Sequence, residues 1–482
     1  MTSTLIENAQ WVVAWNGAAD RHEYMKNVDV VMEDDRIVHV GADYAGTGGT
    51  PPDEVIDGRD LMVMPGLVNV HTHASHISNG KGLNEEIDSK LMFNTTLFEI
   101  NPLLRLQPEY VTACYEVAAC ELIKSGVTTF VELTSPYPDW VENATRTGIR
   151  TFIGPGFSSA RYYTPNGHSM RYEWDEAKGK EQFGRAIKLV DELLADKESR
   201  VQPLLYPMQV DSCTEELMRD ATDAARERGL PIQTHASQSV VEFREMIDRH
   251  GLSPVEWLAE IGFLGPRTTL GHALFTDEHP KLHWPNRHDL QLLFESGTNV
   301  AHCPHIQARR GRYMKSFASY QHAGINLGIG CDTFPHNGID EVRWATIMCK
   351  IATEDTHSIT LGDTFRAATV GGAKALGRDD LGRIAPGAKA DIVLVDMDHP
   401  LMQPSRDPLR SLFFSAQERP IRDVYVDGRK VVADGEVLTM DHRAAARRLN
   451  EGQQKTIATM HERDWGGRSC DDVFPRCIPL AN

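Results

Sequence analysis

The chain has 482 residues, and its 41% hydrophobic and 24% charged content, with 38 Gly and 25 Pro, is that of an ordinary folded protein, excluding disordered, collagen-like and disulfide-scaffold classes. At roughly 100 to 200 residues per domain, this length suits three domains or one large barrel with a smaller companion. The formal net charge of −18 opposes binding to nucleic acid or to an anionic membrane surface, and favours a small neutral or cationic partner.

In chain order, short apolar or alternating runs at 10–15, 28–32 and 36–40, separated by Gly, Asp and Pro clusters, predict a small β-domain over residues 1–63. Over residues 64–380, strand-like runs alternate with helical stretches, the pattern of a parallel sheet. Eight strands are expected, at 66–71, 128–133, 150–154, 201–207, 231–235, 268–274, 299–302 and 326–332, which fits a (β/α)8 TIM barrel with insertions. Between the fourth and fifth, Ser212-Cys213-Thr214-Glu215 reads as a capping box opening an amphipathic helix over 215–228. Strand texture returns at 388–395 and 421–432, where Asp427-Gly428 between apolar runs signals a hairpin. Residues 381–440 should therefore complete, with 1–63, one split β-sandwich domain, leaving 441–482 as a C-terminal helix and tail. The expected class is α/β.

The eight cysteines (114, 120, 213, 303, 331, 349, 470 and 477) lack the spacing of a disulfide framework or a four-thiolate zinc site and read as reduced, with Cys470 and Cys477 an incidental pair. The N-terminus has neither a basic nor an apolar leader region, and no apolar run reaches the 18 or so residues of a membrane helix, so a cytoplasmic protein without membrane partners is expected. A homo-oligomer, dimer or higher, is also expected.

The chemistry concentrates at strand ends. Residues 65–73 read Pro-Gly-Leu-Val-Asn-Val-His-Thr-His, and side chains two apart on a strand share a face, so His71 and His73 aim into the barrel together. An isolated His-x-His is weak evidence for a metal. Here the fifth strand ends in His235, the sixth in His272 and the eighth in Asp332, all at the end where barrel enzymes build their sites. Imidazoles and a carboxylate suit a borderline divalent ion such as Zn²⁺ with an open position for water, whose pKa the ion lowers toward neutrality. Other polar groups bear more weakly on the site. His302 and His305 should face the pocket mouth, and His76 and Asn94 lie in the long segment after the first strand. Tyr162, Tyr163 and Arg161 after the third strand suit stacking on a planar ligand, and the acidic run Glu85, Glu86 and Asp88 reads as a solvated face.

Taken together, the entry PGLVNVHTH, the His-ended fifth and sixth strands, Asp332 and the exit sequence LGRIAPGAKADIVL resemble the amidohydrolase superfamily, in its branch of nucleobase deaminases and triazine (atrazine chlorohydrolase-like) hydrolases. The resemblance implies that His71, His73, His235 and Asp332 bind the metal. It implies that His272 polarises the substrate or holds the hydroxide, and that Asp332 passes a proton from water to the leaving group. Two departures shape the expectation. The fourth strand lacks the lysine that bridges two ions in binuclear relatives, which favours one divalent ion per chain, Zn ahead of Fe, Co or Mn. Deaminases of the branch carry Glu three residues after the fifth-strand His, whereas this chain has Gln238, an amide that hydrogen-bonds but cannot donate and recover a proton. The expected function is a mononuclear hydrolase of a C–N (or C–S, C–Cl) bond, other than a peptide bond, in a small amide, urea, carbamate or heteroaromatic substrate. Its catalytic residues would be His272, Asp332 and Gln238, with His302, His305, Asn94 and Tyr162 on the substrate. The alternative is an aminohydrolase of a nucleobase- or pterin-like ring; a non-catalytic barrel would have no need of all these ligands.

Overall fold

The computed structural model describes residues 3–44 and 51–481. Seven strands come first: β1 (Ser3–Ala9), β2 (Trp11–Asn16), β3 (Arg21–Met25), β4 (Val28–Glu33), β5 (Arg36–Gly41), β6 (Glu54–Asp57) and β7 (Leu61–Pro65). The central stretch holds β8 (Leu67–Thr72), β9 (Val127–Thr134), β10 (Arg150–Phe157), β11 (Ala160–Tyr163), β12 (Arg171–Trp174), β13 (Val201–Pro203) and β14 (Tyr206–Pro207). It continues through β15 (Ile232–Ala236), β16 (Thr268–His272), β17 (Asn299–His302) and β18 (Leu327–Ile329). Four more strands end the β content: β19 (Ile392–Asp396), β20 (Ile421–Val426), β21 (Arg429–Ala433) and β22 (Glu436–Val437).

The central strands form one parallel sheet in the order β13-β10-β9-β8-β18-β17-β16-β15, with β14 continuing the β13 position along β10. Bridges from Leu205 to Ile232 and from Gln209 to His235 join its two ends, so the sheet curls back on itself as in a TIM barrel. All eight expected strand positions are present. The fourth is split in two at Leu204 and Leu205, directly after Pro203, which has no N–H to give the ladder, and Leu205 donates instead to the Pro231 carbonyl. The sixth stops at His272, where His272 and Ala273 turn to φ 78° and 40°, and the eighth is shorter than expected, with Asp332 already at φ 58°. The helix Glu215–Arg228 forms as expected, but Thr214 caps it by accepting from the Leu217 N–H; Ser212 instead donates to the Gln209 carbonyl. The sequence reading missed the antiparallel β11–β12 hairpin, two four-residue strands whose inward face, Ala160, Tyr162 and Tyr172, is too short to stand out as an apolar run.

The chain ends meet in a seven-stranded sheet, β22-β21-β20-β19-β7-β2-β3, in which Ile392 pairs with Pro65. A four-stranded sheet, β5-β4-β1-β6, shares a core with it through Ile6, Val30, Val63, Ile392 and Leu394. Asp427 and Gly428 both have positive φ (49° and 70°), the two-residue hairpin turn their sequence announces. Gly428 is required there, since a Cβ would fall 1.8 Å from the Asp34 carbonyl oxygen. Arg150, on β10 at the base of the barrel, is buried and donates to Asp391 at 3.1 Å and to Asp427, tying the barrel to the C-terminal strands. Removing one partner of such a buried network costs about 3–5 kcal/mol. The tail helix His442–Thr459 packs Ala445 and Leu449 against Tyr110 and Val117. All eight cysteines are free thiols, six of them buried. Among the described residues no helix is long and apolar enough to cross a membrane.

Candidate metal centre

Strand alternation sends Asn69, His71 and His73 to the barrel interior, and the Asn69 amide braces the row by accepting from the His71 N–H at 3.1 Å and donating to Cys331 Sγ at 3.0 Å. The His71 side chain is wholly buried. Its neighbours are glycines by necessity: a Cβ on Gly271 would sit 2.9 Å from His71 Cε1, and one on Gly330 2.7 Å from His71 Cβ. Asp332 follows Gly330, and its Oδ1 lies 3.7 Å from His71 Nε2 and 3.4 Å from His73 Nε2. His73 Nε2 is 3.2 Å from His235 Nε2. The structure thus brings together His71, His73, His235, His272 and Asp332, and two overlapping triads of them place one donor atom each within 4.8 Å: His71, His235 and His272, and His71, His73 and Asp332.

What surrounds the rings separates their roles. His71 Nδ1–H donates to Gln233 Oε1 at 2.5 Å, His73 Nδ1–H to the Leu133 carbonyl at 2.6 Å, and His235 Nδ1–H to the Met208 carbonyl at 2.6 Å. Gln233 Nε2 donates to the Val70 carbonyl at 3.0 Å, which fixes the amide with its oxygen toward His71. Each of the three rings therefore presents an Nε2 lone pair to the interior, the tautomer that metal ligation needs. His272 differs: its Nδ1 faces the Gln307 amide at 3.5 Å rather than a fixed acceptor, and its Nε2 is buried without a hydrogen-bond partner.

This donor set fits a divalent cation. Two lone pairs 3.2 Å apart repel unless a cation lies between them, and imidazole nitrogens 2.0–2.1 Å from one tetrahedral ion stand about 3.3 Å apart. His71 Nε2 is buried with no hydrogen-bond partner at all. Burial, opposed by Asp332, pushes His73 down to about 4 and His272 down to about 3, and burial reinforced by the neighbouring imidazoles holds His235 well below the usual range. These rings are neutral at pH 7. Burial would raise the Asp332 carboxyl, but the His71 contact, together with the charges His272 and His73 acquire once they are protonated at low pH, outweighs it and holds it well below the ordinary carboxylate range, so Asp332 is ionised wherever the rings are neutral. At the end of the fourth strand stands Tyr206, its hydroxyl 3.3 Å from His235 Nδ1, in the absence of any lysine.

Several supporting residues escaped the sequence reading. Glu132, pushed up to about 7 by burial, accepts from the Ala74 and Ser75 N–H groups at 2.8 and 3.0 Å and from the Ser75 hydroxyl at 2.5 Å, shaping the turn after His73. Glu242, pushed up to about 8 by burial and the Asp211 charge, accepts from the Ser237 and Gln238 N–H groups at 2.5 and 3.2 Å. Gln233 was legible in principle, since it lies two residues before His235 on the same strand face.

Of the expected substrate contacts, His302 is buried at the end of β17 with its ring 5.7 Å from that of Phe317. His305 stacks on Trp344 at 5.6 Å on the adjoining helix Gly338–Thr353, with no contact to the histidine cluster. Tyr162 lies edge-on to Phe98 at 4.9 Å, and Asn94 is half-buried with φ 60°. His76 packs 5.6 Å from the His73 ring. Gln238 is buried, and its Oε1 has no partner. The acidic run is not simply solvated, because Glu85 and Asp88 are half-buried and their charges act on Arg309, Arg310 and Arg312.

A parallel barrel with a buried His and Asp cluster at the C-terminal ends of its strands defines a metal-binding hydrolase. The match to the Amidohydrolase family over residues 62–431 is specific, and the chain belongs to that family. It is 29% identical over 430 residues to the 5-methylthioadenosine/S-adenosylhomocysteine deaminase of Natronomonas pharaonis, covering 88% of this chain and 92% of that one. It is 30% identical over 420 residues to the 5'-deoxyadenosine deaminase of Methanothermobacter thermautotrophicus, covering 86% and 91%. In fold it is similar to a zinc-bound adenosine deaminase from Xanthomonas campestris (TM-score 0.79, 23% identity, 94% of this chain and 98% of that one). A zinc-bound variant of atrazine chlorohydrolase from Arthrobacter aurescens is comparably similar (TM-score 0.78, 20% identity, 93% and 100%). The chain is an amidohydrolase-family enzyme.

Proposed function

We propose that the enzyme is mononuclear and cleaves a C–N bond, or a related C–S or C–Cl bond, in a small amide, urea, carbamate or heteroaromatic substrate. The carrying observation is the convergence of three Nε2 lone pairs, each fixed by an acceptor on its Nδ1, and the Asp332 carboxylate, with the fourth imidazole, His272, beside them. His71, His73, His235 and Asp332 would hold the ion, for which Zn²⁺ is the best match to three nitrogens and an oxygen. When bound, the ion supplies Lewis acidity and lowers the pKa of water toward neutrality. Asp332, kept ionised by its neighbours, takes the proton of the attacking water and carries it to the leaving group. His272 Nε2–H donates to the atom on which negative charge develops. Gln238 orients substrate through its amide without ionising. In this reading residues 64–380 are the catalytic barrel, 1–63 and 381–440 one split β-sandwich, and 441–482 the helix and tail that pack on the barrel.

A second reading, deamination of an adenosine-like ring, is favoured by the names of the relatives. Against it stands Gln238, which cannot shuttle a proton to a ring nitrogen, and the nearby Glu242 carboxyl is occupied with backbone N–H groups. The experiment compares native, Gln238→Glu and Gln238→Leu enzymes on ureas, carbamates, anilides, triazines and adenosine derivatives, following ammonia and larger leaving groups. The proposal predicts that the native enzyme releases amines or other leaving groups without deaminating adenosines, and that only the Glu form gains an extra ionisation in its pH profile. Efficient native deamination of an adenosine, or three superimposable profiles, contradicts it.

A further inference from the structure

Three arginines follow the seventh barrel strand on and just after the short helix Pro304–Arg309, and two of them are committed to the protein. Arg309 donates to the Phe334 carbonyl at 2.9 Å and to Thr333 Oγ1 at 3.3 Å, and Arg310 donates to the Ile87 carbonyl. Arg312 is different. Only 6% exposed, its guanidinium meets no hydrogen-bond acceptor and no carboxylate within 4 Å among the described residues, whereas Arg309 and Arg310 share with it only an unpartnered Nε. The nearest opposing charges, Asp332 and Asp88, act only at longer range.

The position of this unpaired cation matters as much as its burial. Arg312 lines a narrow cleft with His302, Gln307, Met314 and Phe317. Gln307 is shared between the cleft and the metal centre, since its amide nitrogen reaches His272 Nδ1 while its Oε1 has no partner. The Arg312 charge is felt at His272 as well as at Asp332. A divalent ion at the centre would add two positive charges against the single carboxylate of Asp332, leaving the region short of negative charge. An unpaired buried cation is costly, and a guanidinium fork matches a carboxylate in two parallel hydrogen bonds.

We propose that this cleft is a subsite for a carboxylate carried by the substrate, bound by Arg312 beside Gln307 while the bond to be broken lies at the metal centre. The proposal rests on the hydrolase reading above and narrows its substrate class to anionic amides, ureas or heteroaromatics. It also refines the inference from net charge: the net charge is acidic, but Arg312, left unpaired beside the site among the described residues, selects an anion.

The test is calorimetric titration of the metal-replete protein with two matched pairs, 6-aminonicotinate against 6-aminonicotinamide and ureidoacetate against ureidoacetamide. Native protein should bind at least one acid about tenfold more tightly than its amide. Arg312→Met should bring that ratio close to one, and Arg312→Lys, which keeps the charge but not the fork, should fall between. Because carboxylates also bind metals, the titrations are repeated after chelation, and the part of the preference due to Arg312 should persist. No preference in native protein for either pair, a preference unchanged in Arg312→Met, or one lost entirely on chelation would overturn the proposal. Should Arg312→Met fail to fold by circular dichroism, the Lys form decides: an undiminished preference refutes the fork. Failure of the hydrolase reading would look different, as absence of metal-dependent turnover with the binding preference intact.

Discussion

Gln233 is the support on which the geometry of His71 turns, so Gln233→Leu makes a quantitative test of the centre. The substitution keeps a comparable volume in a fully packed position but removes the acceptor 2.5 Å from His71 Nδ1 and the donor to the Val70 carbonyl. A buried Nδ1–H left unsatisfied costs about 1–3 kcal/mol, which the ring escapes by rotating or by moving its proton to Nε2, and either escape spoils ligation. Loss of such a supporting partner weakens metal affinity about 10–100-fold, or about 1.4–2.7 kcal/mol. Competition for zinc against a chelator of known affinity, at fixed pH, measures this directly. Gln233→Glu restores the acceptor but not the donor to Val70 and should fall between native and Leu. An affinity for the Leu form within about threefold of native, with the fold intact, would refute the tautomer argument.

His272→Asn and Asp332→Asn should each lower turnover by at least about a hundredfold, but only Asp332→Asn should also weaken metal retention; metal content measured beside kcat separates the two. Away from the site, burial and the Asp277 carboxylate push Asp289 up to about 7, with Ser253 Oγ donating to it at 2.5 Å and the Asp277 N–H at 2.8 Å. A carboxyl raised on folding holds its proton more tightly in the native state, so its stabilising contribution is complete below the unfolded pKa near 4 and is lost as pH rises to about 7. Denaturant unfolding should therefore show native protein losing on the order of 2–4 kcal/mol relative to Asp289→Asn between pH 4 and pH 7, and parallel stability curves would contradict this.

Much of this was legible in the sequence because the physics involved is local or periodic. Eight apolar runs at βα spacing fix the barrel, and alternation along 67–73 puts His71 and His73 on one face without any knowledge of the tertiary structure. Asp427-Gly428 announces its turn because few residues tolerate two successive positive φ values. What escaped depends on contacts between distant segments. Gln233 and His71 lie 162 residues apart, and the Leu133 and Met208 carbonyls that orient the other ligands are backbone atoms with no signature in a side-chain pattern. The misplaced helix cap has a local cause: Ser212 and Thr214 are both competent caps, and only Thr214 takes the extended conformation directly before the first turn. Arg312 was invisible for the opposite reason, since among three neighbouring arginines only the fold shows which one is left unpaired.

The measurement that tests the central claim most directly is reconstitution of the chelated enzyme by stepwise addition of zinc, following bound metal by elemental analysis and activity on the best substrate of the panel. The account predicts that activity rises linearly and saturates at one ion per chain, and that His71→Ala, His73→Ala and His235→Ala fold but neither retain the ion nor turn over. Saturation at two ions per chain, or full activity in the metal-free enzyme, would contradict it.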